Sequence, residues 1–165
     1  MTNLEFFIKR WSEEAPITLR VFQAVPDGKL DYRPHPRSRS AGELISLMAY
    51  ESHACCEAVD TGKINWQDQP AATKVNQAVD SFTKKNQELE KLLQKVDEDT
   101  WKGRKVQFLV GGQVVFEEAL GPMLWGHLFD VIHHRGQLSV YIRPMGGKVP
   151  SIYGPSADDT GMESG

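Results

Sequence analysis

The sequence predicts an all-α fold: a four-helix bundle with one small β-hairpin between its third and fourth helices. Three observations carry that expectation. Four long segments repeat apolar residues at helical spacing, the connectors between them are short and rich in breakers, and only one stretch has strand character. With 165 residues, 40% of them apolar and 25% charged, the chain is sized for one compact domain. That domain is expected over residues 1–150, followed by a C-terminal tail over 151–165 whose last residues should be disordered.

The first helix is expected over 3–24, where Leu4, Phe7, Ile8 and Trp11 fall on one face and Leu19, Phe22 and Val25 continue toward its end. Pro16 should kink or interrupt it, because proline lacks the amide hydrogen that the helix needs. Three prolines and an Asp-Gly pair make 26–38 a connector. The second helix opens near Ser40 and runs to about Asp60, where Thr61 and Gly62 stop it. Its inward face holds Leu44, Leu47, Met48, Cys55 and Ala58. The stretch KINWQDQPAA reads as a loop with one aromatic anchor. The third helix, about 72–96, is the most polar, with Val75, Val79, Phe82, Leu89 and Leu92 or Leu93 facing in. Residues 105–118, KVQFLVGGQVVFEE, form two Val- and Phe-rich runs around Gly-Gly, which is the hairpin signal. The fourth helix runs from about Gly121 to Met145 and ends at Gly146-Gly147.

Composition excludes several function classes. A net charge of −3 provides no basic field for a phosphate backbone, so nucleic-acid binding is disfavoured. No window approaches eighteen apolar residues and the N-terminus lacks the order of a signal peptide, so a cytoplasmic protein with no membrane association is expected. The only cysteines, Cys55 and Cys56, are helical neighbours about 100° apart and poorly placed to bridge each other. They read as small core residues.

The chemistry concentrates on the fourth helix. His127, Asp130, His134, Gln137 and Tyr141 follow one another at steps of three and four and share a stripe. Beside it runs the apolar stripe of Leu124, Leu128, Val131, Leu138 and Ile142. Asp130 and His134 have the spacing that lets two side chains on successive turns reach one ion; His133 points about 100° away and takes a flanking or hydrogen-bonding role. On the second helix Glu51 falls in the middle of the apolar face while His53 falls nearly opposite. A carboxylate buried there costs several kcal/mol unless it is paired or neutralised. Its partner is either a cation held jointly with Asp130 and His134 or a protonated His134. Arg135, Gln137 and Tyr141 are the candidate substrate contacts, against the plainer reading of pairing charges and core edge.

HHRGQLSVYIRPMGGKVPSIYGPSADD, residues 133–159, resembles the end of the last helix and the tail of the DinB/YfiT-type metalloenzyme superfamily, and RSAGELISLMAYE resembles its second helix. The resemblance implies an up-down-down-up helix order, a homodimer, and a divalent metal held by three histidines. It also implies that some members transfer low-molecular-weight thiols. The family's histidine positions fall here on Leu47, Asp130 and His134, so one of the three ligands is kept. Glu51 lies one turn after Leu47, opposite Asp130 and His127 if the second and fourth helices run antiparallel. A displaced site of Glu51, Asp130 and His134, with His127 as a further candidate, suits Zn, Mn, Fe or Ni better than a soft metal. The expected function is a divalent-metal-dependent enzyme, thiol transferase or hydrolase-like, on a small-molecule or thiol substrate. The alternative is a metal-free, stress-associated binding or scaffold protein that keeps the helices and has lost the chemistry.

Overall fold

The computed structural model describes residues 1–160. In chain order the elements are α1 (Asn3–Gln23), a 3-10 turn (Asp27–Lys29), α2 (Ala41–Thr61), β1 (Lys63–Trp66), α3 (Val75–Leu93), α4 (Glu98–Gly103), β2 (Lys105–Val110), β3 (Gln113–Ala119) and α5 (Leu120–Ile142). The chain is mostly helical with a small three-stranded sheet. Each of α1 and α2 packs against both α3 and α5. The expected disorder of the last tail residues falls on 161–165, outside the described residues, and 151–160 form neither helix nor strand.

Both of the first two helices start with reciprocal caps. The Thr2 hydroxyl accepts from the Glu5 amide and Glu5 accepts from the Thr2 amide, and Ser40 and Glu43 repeat the arrangement at α2. Pro16 does not interrupt α1 as the sequence suggested. One helical hydrogen bond is forfeited there, but Phe7 and Trp11 on one side and Val21 and Phe22 on the other are all buried and hold the rod to the core. The central helix is α2, with Leu44, Ile45, Met48, Ala54, Cys55 and Ala58 fully buried. Both cysteines are buried free thiols, and burial pushes the Cys56 thiol up to about 12. Gly62 ends α2 at φ +74°, a conformation that favours glycine.

Two elements depart from the sequence reading. KINW is a strand rather than a loop: β1 pairs parallel with β2, Ile64 opposite Phe108 and Trp66 opposite Val110. The β2–β3 pair is antiparallel through Gly111 and Gly112, so the sheet order is β1-β2-β3. The six-residue α4 was not expected. Asp97 caps it and its buried Trp101 donates to the Asn3 side chain at 2.8 Å. The third long helix starts at Val75, later than expected, with the Asp27 carboxylate accepting from the Val75 amide at 2.7 Å.

Arg135 is buried against α1. It pairs with the equally buried Glu14 at 2.7 Å, and one of its amino groups donates to the Tyr153 hydroxyl at 2.6 Å. Tyr153 donates to Glu14 at 2.9 Å, so this ion pair fastens the tail to α1 and α5.

Candidate functional site

Where α2 faces the first half of α5, four ionisable side chains meet. Glu51 is 1% exposed, at the centre of the inward face of α2, where an unpartnered charge is most costly. Its Oε2 hydrogen-bonds Nδ1 of His127, which is itself buried, and the Asp130 carboxyl is near enough to act on its proton affinity. Asp130 Oδ2 lies 3.2 Å from His134 Nε2, and His134 Nδ1 lies 2.8 Å from Gln137 Oε1. Gln137 Nε2 in turn lies 3.1 Å from His133 Nε2.

The electrostatics follow these contacts. Burial pushes the Glu51 carboxyl up, against the pull of its His127 bond. Asp130 is held below the usual carboxylate range, chiefly by its bond to His134. His134 is raised in turn by Asp130, and its other ring nitrogen faces Gln137. In the tautomer that carries its hydrogen on Nδ1, toward Glu51, His127 keeps a lone pair on Nε2.

Glu51, His127 and Asp130 line a cavity of about 370 Å³. Its opposite wall is aromatic and comes from the sheet: Trp66 of β1, Phe108 of β2 and Phe116 of β3. Trp66 and Phe108 have ring centroids 5.5 Å apart at 29°, and Phe108 and Phe116 4.9 Å apart at 13°. The His127 ring stands 6.4 Å from both Trp66 and Phe108, nearly parallel to each. Glu118, Pro122, Met123 and Gly126 complete the lining. A larger cavity of about 610 Å³ lies between α2 and α3, bordered by His53, Lys74 and Lys85. It holds no carboxyl–imidazole pair, and Lys85 is already bound to Glu88 at 2.8 Å, so the chemistry belongs to the smaller cavity.

Of the residues singled out in the sequence, Glu51, Asp130 and His134 do come together, and His127 is as central as any of them. Gln137 orients His134 rather than lining the cavity. Arg135 faces α1, away from this wall, and Tyr141 packs in the core, edge-on to Tyr32, with its hydroxyl donating to the Arg39 carbonyl at 3.3 Å. The three aromatic residues and Glu118 were missed as site residues. Their convergence depends on β1 pairing with a strand some forty residues later, which no local pattern announces.

The donor types of Glu51, Asp130, His127 and His134 suit a divalent cation, and in this structure they bond one another. Both nitrogens of His134 are engaged, and the position aligned with the family's first histidine carries the aliphatic Leu47. Among the described residues no three His, Cys, Asp or Glu side chains form a group that could hold a metal ion.

Comparison with known proteins gives the family and the fold. A curated relative, the uncharacterized protein YrdA of Bacillus subtilis, is 25% identical over 158 residues, spanning 95% of this chain and 92% of its own. A crystal structure of a DinB-like protein from Bacillus cereus superposes with a TM-score of 0.74 at 21% identity, over 90% of this chain and 97% of that one. A DinB-like protein from Bacillus subtilis, YjoA, gives 0.67 at 20% identity, over 86% and 93%. A mycothiol-dependent maleylpyruvate isomerase gives 0.57 at 14% identity, over 87% of this chain and 61% of that one. The profile of the DinB family matches residues 1–163, and the chain belongs to the DinB family.

Proposed function

We propose that this DinB-family chain is an enzyme that moves a proton on a small-molecule substrate bound in the aromatic-walled cavity. The observation that supports the reading is the buried Glu51–His127 pair on the cavity wall. With Nδ1–H tied to Glu51, the Nε2 lone pair of His127 is the general base, and Glu51 fixes the tautomer and steadies the ring once it is protonated. Asp130 and His134 hold the Glu51 carboxyl in place from behind. The chemistry this serves is proton abstraction and return, as in an isomerisation or the addition of a thiol. The homodimer and the up-down-down-up helix order implied by the family resemblance belong to the same reading.

The test is deuterium exchange. Small carbonyl compounds are incubated with the protein in D2O, with and without cysteine as a low-molecular-weight thiol, and loss of the α-proton signals is followed by NMR. Exchange catalysed by the wild type and abolished in His127→Ala and Glu51→Leu, with unchanged circular dichroism, supports the reading. Absence of catalysis across the set, or exchange indifferent to both substitutions, defeats it.

A second reading is a divalent-metal-dependent enzyme, favoured by Glu51, His127 and Asp130 bordering one cavity. Zn, Mn, Fe or Ni would have to displace the protons that now link these groups, so uptake would strengthen as pH rises and release protons. Equilibrium dialysis with elemental analysis decides it: stoichiometric uptake that Asp130→Ala loses would establish the metal. If neither catalysis nor uptake appears, the metal-free binding or scaffold function is what remains.

A further inference from the structure

Building on the reading of the cavity as a substrate site, we propose that its ligand is a small organic ammonium ion. Two independent features of the cavity point the same way. The sheet contributes three stacked aromatic rings, one from each strand, in Trp66, Phe108 and Phe116. The acidic residues of the lining are Glu51, Glu118 and Asp130, of which Glu118 and Asp130 are the less buried, with no lysine or arginine among the lining residues.

Each competing ligand class fails against one of these features. An anion would meet carboxylates of its own sign in a partly dehydrated space. A neutral apolar compound would pack on the rings but strip water from Glu118 and Asp130 without replacing it. A bare metal ion would make no use of the ring wall. An organic ammonium ion uses both, since its charge is attracted by aromatic faces and by carboxylates while its carbon body covers the rings. Glu118 is the carboxylate that stands apart from the Glu51–His127 machinery. It comes from β3, beyond Phe116, and accepts from the Ala119 amide through one oxygen at 2.8 Å. Asp130 is already committed to Glu51 and His134, so Glu118 is assigned the selection of charge. A cavity of about 370 Å³ lies toward the small end of ligand sites, which limits the ligand to roughly one ring or a short aliphatic chain bearing the ammonium group.

The experiment titrates the full chain at pH 7 with three probes of nearly the same shape: 2-phenylethylammonium chloride, neutral 2-phenylethanol and sodium phenylacetate. The Trp66 indole N–H and the Phe116 amide are followed by NMR. The ammonium probe is expected to shift both signals and to bind about tenfold or more tightly than the alcohol, with affinity falling as salt is added. Glu118→Gln should weaken the ammonium probe about threefold to tenfold and leave the alcohol unchanged. Trp66→Leu should weaken both. If the alcohol matches the ammonium ion, if phenylacetate binds best, or if Glu118→Gln affects all three equally, charge selection is overturned while the cavity remains a ligand site. If no probe moves the Trp66 signal, the inference is overturned too, and the deuterium-exchange result separately decides whether the site is catalytic.

Discussion

Burial raises the Glu51 carboxyl above its ordinary value, and that has a measurable sign. A carboxyl whose pKa is raised on folding takes up a proton as the chain folds, so its contribution weakens as pH rises from its unfolded to its folded pKa. Glu51→Gln mimics the protonated form and should remove that slope. Urea unfolding is expected to show wild type and variant close together at pH 5 and the variant the more stable at pH 8. The reverse order would mean that Glu51 is ionised in the fold. Asp130 and His134 act oppositely. The depressed Asp130 contributes above its unfolded pKa and loses that contribution as pH falls through its folded one. The raised His134 contributes below its unfolded pKa and loses it as pH rises through its folded one. Because the Asp130 side chain is 44% exposed, His134→Ala should cost no more than about 1 kcal/mol, with the loss shrinking at alkaline pH in denaturation curves. At this scale the sequence was informative: an acidic residue inside an apolar face demanded a partner, and the helical periods named Asp130, His134 and His127. What periodicity could not rank was which of the three lies level with Glu51, because that depends on how far one helix has slid along another.

The same contrast holds for elements. The start of the second helix near Ser40, the Thr61-Gly62 stop and the Gly111-Gly112 turn are local chemistry, and local chemistry can be read from neighbours in sequence. The four-residue β1 carries too little pattern to be distinguished from a loop, and its partner lies far along the chain. The interruption expected at Pro16 is absent for a related reason, since tertiary burial on both sides outweighs one missing hydrogen bond. The short α4 matters because its Trp101 seats directly against α5 at Gly121. A Cβ there would stand 2.7 Å from the indole, whose partner Asn3 also receives the Trp125 ring nitrogen at 3.1 Å. Gly121→Ala should therefore lower stability by about 1–3 kcal/mol despite alanine's better helix propensity, measured as a fall in the urea midpoint. A rise instead would show that the indole gives way freely.

Across the whole molecule, two apolar clusters divide the interior, one around Trp11, Trp101 and Leu124 and the other around Phe22, Phe82 and Leu138. The Glu14–Arg135 ion pair ties α1 to α5, and Tyr153 adds the tail to it, with the guanidinium 5.2 Å from the tyrosine ring centroid. Removing Arg135 leaves the buried Glu14 carboxylate with Arg10 and Tyr153 as partners, so Arg135→Ala should cost less than the about 3–5 kcal/mol of a fully stranded charge, and exchanging the pair for apolar residues, Glu14→Leu with Arg135→Met, should recover most of the loss. Denaturant unfolding of the single and double variants checks this, and equal losses in both would show that the ion pair itself is stabilising. Among the described residues no helix is long and apolar enough to cross a membrane. Cys55 and Cys56 lie at the heart of α2, sealed from water and raised far from the thiolate. Alkylation requires the thiolate and access to it, so in the intact protein iodoacetamide must wait for the interior to come apart. The two sulfurs thus serve as a built-in clock: the rate at which they are capped under native conditions reports how often the centre of this protein opens.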